Sequence, residues 1–119
     1  MFANISRHPS KRWPNDQKQA ASEISPDGLV NIAFPRVPPE DSTESVRKTA
    51  QKIASTIGNG VTAAMVQGEY TLTLFLAEEL ARRGIDVYVA CLKDDYQKHN
   101  GHRARRFVQF RKIAEGRVQ

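Results

Sequence analysis

Cysteine and long apolar runs are scarce in this 119-residue sequence, and each shortage excludes a class of protein. The single cysteine, Cys91, cannot form an internal disulfide, which favours a reducing compartment over a secreted scaffold. No apolar run approaches the roughly 20 residues that span a bilayer, so no transmembrane helix is expected. Residues 1–10 hold Arg7, His8 and Pro9 where a secretory signal requires an apolar segment. These observations predict a cytoplasmic protein that does not enter a membrane.

Familiar cofactor and metal motifs are missing as well. No G-x-G-x-x-G follows the first strand candidate, and no G-x-x-x-x-G-K-[ST] occurs, so neither a dinucleotide cofactor nor a P-loop hydrolase is expected. His99 and His102 flank Asn100-Gly101, yet no neighbouring set of Cys, His or carboxylate residues has zinc spacing. The sequence therefore predicts no cofactor and no metal site.

The composition is that of an ordinary globular domain, with 39% hydrophobic and 26% charged residues. A chain of this length is expected to form a single domain, residues 1–119, around one core. The net charge of +5 is concentrated in Lys93–Gln119, which holds eight Lys and Arg residues against three Asp and Glu. Such a segment suits a polyanionic ligand, and it equally suits a charged edge strand that resists aggregation.

The segment Val61–Thr71, VTAAMVQGEYT, organises the predicted fold. Its charge-free first half is typical of a strand buried on both faces, and Gln67-Gly68-Glu69 is expected to turn sharply at the end of that strand, with Gly68 permitting the turn. An apolar pattern at helical spacing, from Leu72 to Leu80, follows and ends at a C-cap glycine, Gly84. In this strand–turn–helix unit, the first N–H groups of the helix could hold an anion such as phosphate.

The other elements also alternate between strand and helix. Strands are predicted from β-branched apolar runs at Phe2–Ser6, Leu29–Phe34, Ile85–Leu92 and Arg105–Ile113. One helix is predicted after Trp13-Pro14, and another after a capping pair formed by Asp41 and Glu44. The second helix is expected to bury Val46, Ala50, Ile53 and Ile57. The polar segment Asp94–Gly101 is predicted to be a mobile loop.

The predicted order, β-α-β-α-β-α-β-β, favours an α/β fold with a mainly parallel sheet and one antiparallel strand at its C-terminal edge. The smallest consistent topology is a three-layer, Rossmann-like sandwich with strand order 2-1-3-4-5. In that order the winding direction reverses between the first and third strands, and ligands of such sheets bind at this switch point. We therefore expect the loops after these two strands to form one crevice.

The loop after the first strand carries the candidate groups Ser6, Arg7, His8 and Ser10. Histidine side chains exchange protons near neutral pH, so His8 is a candidate catalytic residue. Arg7 and the two serines could hold phosphate oxygens. A role in loop capping or in packing against Trp13 is an equally simple reading of His8.

The loop after the third strand supplies Gln67, Gly68, Glu69, Tyr70 and Thr71. The amide of Gln67 could contact a base edge or a ribose, or it could satisfy neighbouring backbone groups. Glu69 is a candidate general base, or a charge that stabilises the start of a helix. The hydroxyl groups of Tyr70 and Thr71 could contact a ligand, or serve in capping and packing.

Three phrases carry a resemblance: Ile5–Ser10 followed by Trp13, Phe34–Pro39, and Val66–Thr73. Together they resemble small bacterial proteins with a Rossmann-like fold. Through the strand–QG(E/D)–helix element, they are similar to the CARF-like accessory proteins of type III CRISPR systems, the ring nucleases that bind or degrade cyclic oligoadenylate. Where such relatives often place Ser/Thr-Glu-Arg after the fourth strand, this chain has Cys91-Leu92-Lys93-Asp94.

The resemblance implies an antiviral defence protein that binds cyclic oligoadenylate or another nucleotide, and cleaves it without a metal by attack of a ribose 2′-hydroxyl. A symmetric ring also implies a homodimer that offers it two matching half-sites. In this reading Arg7 and the Gly68–Thr71 turn hold phosphate, His8 transfers a proton, Gln67 contacts adenine or ribose, and Lys93 encloses the ligand. Two alternatives remain: a nucleotide-binding module without activity, and an interaction subunit that pairs through its basic edge strand.

Overall fold

The computed structural model describes residues 1–97 and 102–117, which form one five-stranded sheet between helices. The strands are β1 (Phe2–Ser6), β2 (Leu29–Ala33), β3 (Ala63–Val66), β4 (Asp86–Gln97) and β5 (His102–Ala114). The helices are α1 (Asn15–Ile24), α2 (Thr43–Ser55) and α3 (Tyr70–Arg82), with one short 3₁₀ turn at Ser10–Arg12. The spatial order is β2-β1-β3-β4-β5, parallel except for the antiparallel β4–β5 pair. The predicted fold class and strand order are confirmed.

The C-terminal hairpin is longer than the sequence predicts. β4 continues through residues 94–97, so the predicted loop is wrong there, and residues 98–101 lie outside the described part of the chain. β3 pairs with β4 only as far as Met65 opposite Tyr88, and beyond that point β4 pairs with β5 alone among the described strands. We call residues 89–97 and 102–111 the ribbon. Much of the ribbon is exposed on both faces, so its strands need no alternation of apolar and polar residues. For this reason the polar sequence did not predict their full length.

The larger hydrophobic core lies between the sheet and the helices α2 and α3. Leu72, Leu76 and Leu80 of α3 are fully buried there, as the helical pattern predicts. The helix ends as predicted, because Gly84 has a φ of +86°, a conformation that side chains with a Cβ atom rarely adopt.

The start of α2 differs from the predicted capping pair. Its N-cap is Ser42, whose Oγ accepts a hydrogen bond from the Ser45 backbone N at 3.1 Å. A serine hydroxyl reaches the first-turn N–H groups readily, so the cap lies one residue later than the predicted Asp41.

The smaller core lies on the α1 face of the sheet and is mostly aromatic. Phe2 packs against Trp13 and Phe110, with ring centroids 6.4 and 5.2 Å apart. Gln17 and Ala21 of α1 are buried on this side of the sheet. Among the described residues, α1 is the one helix on this face, and it packs mainly against β5 and β1.

Within the described residues, no helix is long and apolar enough to cross a lipid bilayer.

Candidate functional site

A cavity of about 280 Å³ opens where β1 and β3 end, between α1 and the ribbon. Its apolar lining includes Trp13, Met65, Leu92 and Phe107. Its polar lining includes His8, Gln67, Arg12 and Arg105. We call this space the switch-point cavity, because it lies at the reversal of strand winding that the sequence predicts as the ligand site. The loops that carry His8 and Gln67 are therefore neighbours at one rim of the sheet.

A buried side-chain network fixes the loop that carries His8. Asn4, which is 1% exposed, donates from Nδ2 to the His8 carbonyl oxygen at 2.8 Å and to Asn31 Oδ1 at 2.9 Å. The Ser6 hydroxyl donates to Asn4 Oδ1 at 2.7 Å and accepts from the His8 backbone N at 3.1 Å. Ser6 is thus committed to positioning the loop, since its hydroxyl is buried and already bonded.

Ser10 belongs to the same network and not to the cavity. Its backbone N donates to Asn31 Oδ1 at 2.9 Å, and Asn31 Nδ2 donates to its hydroxyl at 3.1 Å. Asn4 and Asn31 are register partners on β1 and β2, so the loop is held by one asparagine from each strand. The sequence carries a signal for them, an asparagine at the centre of each of two otherwise apolar strands, FANIS and LVNIA.

Gln67 has the structural role considered for it, since it satisfies a neighbouring backbone group. Its Oε1 accepts a hydrogen bond from the Ala90 backbone N at 3.3 Å, so the side chain continues the β3–β4 pairing beyond the end of β3. Its backbone N donates to the Ile5 carbonyl at 3.1 Å. The amide nitrogen of the side chain has no hydrogen-bond partner among the described residues, and Gln67 lines the cavity, so this N–H₂ group is available to a ligand.

The remaining candidates from the two loops lie on the other face of the sheet. Arg7, Gly68 and Glu69 line a separate groove of about 310 Å³ together with Phe34 and Arg36. Side chains of successive residues in an extended chain point to opposite faces, and this separates Arg7 from Ser6 and His8. The structure therefore does not bring the predicted residues into one crevice but divides them between two.

Glu69 is the N-cap of α3. Its Oε1 accepts a hydrogen bond from the Leu72 backbone N at 2.8 Å. This bond, with further hydrogen bonds from Thr71, lowers the pKa of the Glu69 carboxyl. A carboxylate with a lowered pKa is a weaker base, so the geometry favours the helix-stabilising role over the catalytic one. Thr71 likewise bonds Glu69, in keeping with its alternative role in capping.

The chain bends at Gly68 and Glu69, as the sequence predicts, and Gly68 is required there by a close approach. Its φ is not in the left-handed region, where only Gly28 and Gly84 lie among the described residues. A Cβ atom at this position would lie 2.4 Å from the Phe34 ring, which packs directly over the glycine.

Tyr70 and Lys93 do not line the switch-point cavity. Tyr70 is 91% exposed and lines a groove between α3 and β5 with Leu74 and Ile113. Lys93 is an exposed register partner of Arg106 on the ribbon, whereas the adjacent pair Asp94 and Arg105 lies on the cavity side.

The cationic and aromatic groups of the cavity were missed at the sequence level. Arg12 comes from the 3₁₀ turn before α1, and Arg105 and Phe107 come from β5, about 90 residues later. The Arg105 Nε lies 3.6 Å from Asp94 Oδ1 in an exposed ion pair. The alternation of Arg105 and Phe107 was the one sequence signal for these groups. However, β5 reaches the loop after β1 only because the ribbon is long. In the described residues, no three His, Cys, Asp or Glu side chains cluster as metal ligands would.

Comparison with known proteins identifies the family of this chain. The sequence matches the Uncharacterized protein MJ1673 family over residues 1–111. No curated protein and no solved structure matches it. The matched range spans β1 to β4 and most of β5, and it includes every residue of the switch-point cavity named above. Because that match covers nearly the whole chain, the protein belongs to the MJ1673 family.

Proposed function

We propose that this protein binds a cyclic oligoadenylate in the switch-point cavity and opens the ring by metal-independent attack of a ribose 2′-hydroxyl. The observation that supports the proposal is the meeting of His8, Gln67, Arg12 and Arg105 over an apolar lining at one rim of the sheet. An apolar lining suits a planar base, guanidinium groups suit phosphate, and a histidine beside them suits proton transfer. The sequence resemblance to ring nucleases of type III CRISPR systems gives the specific ligand.

The proposed reaction needs one proton removed and one supplied. The 2′-oxygen loses its proton and bonds the adjacent phosphorus, the bond from phosphorus to the 5′-oxygen breaks, and that oxygen takes up a proton. The products are a 2′,3′-cyclic phosphate and a 5′-hydroxyl. In this proposal the imidazole of His8 transfers the proton, while Arg12 and Arg105 stabilise the charge that develops on the phosphate.

Incubation with radiolabelled cyclic tri-, tetra- and hexa-adenylate in EDTA tests the whole proposal. We expect one ring size to yield linear products that end in 2′,3′-cyclic phosphate. The His8→Ala variant should still bind that ring and should cleave it at least 100-fold more slowly, which is the usual contribution of a general acid or base. Rings that stay intact with the wild-type protein would rule out cleavage.

A pair of charge-matched variants tests the location of the site. Arg105→Ala removes a cation from the cavity, whereas Lys93→Ala removes one from the ribbon outside the cavity lining. We expect Arg105→Ala to weaken ring binding by at least tenfold and Lys93→Ala to change it less than twofold. Equal losses would mean that the basic ribbon acts only through its overall charge.

Binding without cleavage is the second candidate function, and one observation favours it. The described residues that line the cavity include one imidazole, that of His8, and no carboxyl group, whereas efficient 2′-hydroxyl attack uses both an acid and a base. Under this alternative the ring binds tightly, and no product forms even after long incubation.

A homodimer is part of the proposal because a symmetric ring is matched by two equivalent half-sites. Tyr70, Leu74 and Ile113 are exposed side by side along the groove between α3 and β5, and no described strand pairs with the outer edge of β5. Sedimentation velocity should give a dimer for the wild-type protein and a monomer for Leu74→Glu. A wild-type monomer that still binds the ring would remove the dimer from the proposal.

A further inference from the structure

The edge of β4 that faces β3 continues beyond its partner. Near the start of β4, the Asp86 backbone N donates to the Thr62 carbonyl at 3.1 Å. Four residues later, the Ala90 backbone N donates to the Gln67 side chain, because β3 has already ended at Val66. From Ala90 onward, this edge of the strand therefore borders the switch-point cavity, and Ala90 and Leu92 both line it.

Strand geometry determines which backbone groups point into this space. Within a strand, the N–H and C=O of one residue point to the same side, and the side alternates from residue to residue. Since the Ala90 N–H points away from β5 toward Gln67, the Ala90 carbonyl and the Leu92 N–H point the same way. The register shift on β5 between Cys91 and Leu92 does not alter this alternation, because the extra residue, Val108, lies on β5. Both groups point away from β5, and no loop residue in the described part of the chain bonds either of them.

Along β4, a hydrogen-bond acceptor, the Ala90 carbonyl, is followed by a donor, the Leu92 N–H. This order matches the edge of a particular nucleic-acid base. Adenine carries an amino group, N6, next to an acceptor, which is N1 on one edge and N7 on the other. The amino group can donate to the Ala90 carbonyl while N1 or N7 accepts from the Leu92 N–H. Held in the same orientation, a base with a carbonyl in place of the amino group, such as hypoxanthine, would place two oxygen acceptors against each other.

The surroundings suit a base held in this way. Trp13 and Phe107 provide aromatic surface, and the free amide nitrogen of Gln67 supplies a further donor. A volume of about 280 Å³ is at the small end for ligand pockets, so it suits one nucleoside unit better than an extended peptide strand along the same edge.

We propose that the open edge of β4 is the specificity element of the protein, and that the Ala90 carbonyl and the Leu92 N–H read adenine against hypoxanthine and guanine. The inference rests on the proposed binding function, but it does not require a cyclic ligand or cleavage.

Calorimetric titration with adenosine monophosphate and inosine monophosphate, beside the cyclic rings, separates the two proposals. We expect adenosine monophosphate to bind at least tenfold more tightly than inosine monophosphate. If both monophosphates bind equally, recognition of adenine by the edge of β4 is wrong, even when a ring binds. If adenosine monophosphate binds selectively and no ring binds, recognition of adenine by the edge of β4 holds, and the proposal of a cyclic ligand is wrong. If nothing binds, both proposals fail.

A matched pair of variants at one position tests the backbone group directly. Leu92→Pro removes the N–H without breaking the ladder to β5, because that N–H faces away from β5, where proline is tolerated in strands. Leu92→Ala keeps the N–H and shortens the same side chain. We expect Leu92→Pro to bind both monophosphates equally and weakly, and Leu92→Ala to keep at least fivefold discrimination. Thermal melts check that both variants fold, and discrimination retained by folded Leu92→Pro would overturn the inference.

Discussion

The two faces of the sheet are built differently, and the difference separates stability from ligand access. On the α2/α3 face, two helices bury a continuous aliphatic core, and Phe34 lies so close to Gly68 that no Cβ atom would fit between them. On the α1 face, one helix and a few aromatic rings leave the switch-point cavity open beside the ribbon. The loops after β1 and β3 contribute side chains to both faces. Neighbouring residues such as Arg7 and His8 therefore line different cavities.

The largest expected effect compares one apolar residue from each face. Leu76→Ala leaves a void in the closed core and should lower the free energy of unfolding by about 3 kcal/mol. Met65→Ala enlarges a space that already opens to solvent, so it should cost less than about 2 kcal/mol. Urea unfolding of both variants measures the difference. Equal losses would show that the two faces are packed alike.

The contact between Gly68 and Phe34 gives a double-mutant test of tight packing. Gly68→Ala should cost about 2 kcal/mol, since the Phe34 ring must move to admit the methyl group. In a Phe34→Ala background the same change should cost at least 1 kcal/mol less, because the obstructing ring is gone. Chemical denaturation of the four proteins in the cycle gives the coupling energy. A cost that is independent of Phe34 would point to backbone strain at Gly68 instead.

Asn4 tests how the cavity loop is held on the open face. Asn4→Ala removes the nearer acceptor of the Ser6 hydroxyl and one of the two donors to the His8 carbonyl, and we expect a loss of about 1–2 kcal/mol. Amide exchange in the loop after β1 should accelerate more than exchange in α3. Asn31→Ala, at a more exposed position, is the control and should cost less than Asn4→Ala. Unchanged exchange in that loop would mean that the network does not fix His8.

The smallest effect concerns the Glu69 cap and its pH dependence. The folded-state pKa of Glu69 is lowered from 4.5, so its contribution is present above about pH 4.5 and is lost as the pH falls through the lower folded value. Glu69→Gln should therefore be slightly less stable than the wild type at pH 7, and the difference should shrink below pH 4. Denaturation from pH 3 to pH 7 measures it. A difference that grows on acidification would contradict the capping role.

Periodic patterns predicted most of the fold. The β1, β2 and β3 strands and the helix α3 are found where apolar runs and helical spacing place them, because a buried face imposes its period on the sequence. The ribbon was underestimated because its strands are held by pairing with each other more than by burial. The start of α2 was misplaced because Ser42 and Asp41 are both good capping residues, and only the backbone path distinguishes them.

The candidate site was predicted in position but only partly in composition. His8 and Gln67 meet where the strand order requires, since the carboxyl ends of β1 and β3 are adjacent. Arg12 and Arg105 were not predicted as cavity residues. In a sequence with many basic residues, no local pattern indicates which arginine side chain lines a cavity.

The sequence by itself determined the order of the elements, the strand order and the rim at which the two loops meet, since these follow from hydrophobic period and from the handedness of crossovers. Only the tertiary structure decided which face each loop side chain occupies. That choice depends on pairwise fits, such as Phe34 over Gly68, Glu69 on the first turn of α3, and Asn4 beneath His8. Such fits join residues that are distant in sequence, so no local pattern records them.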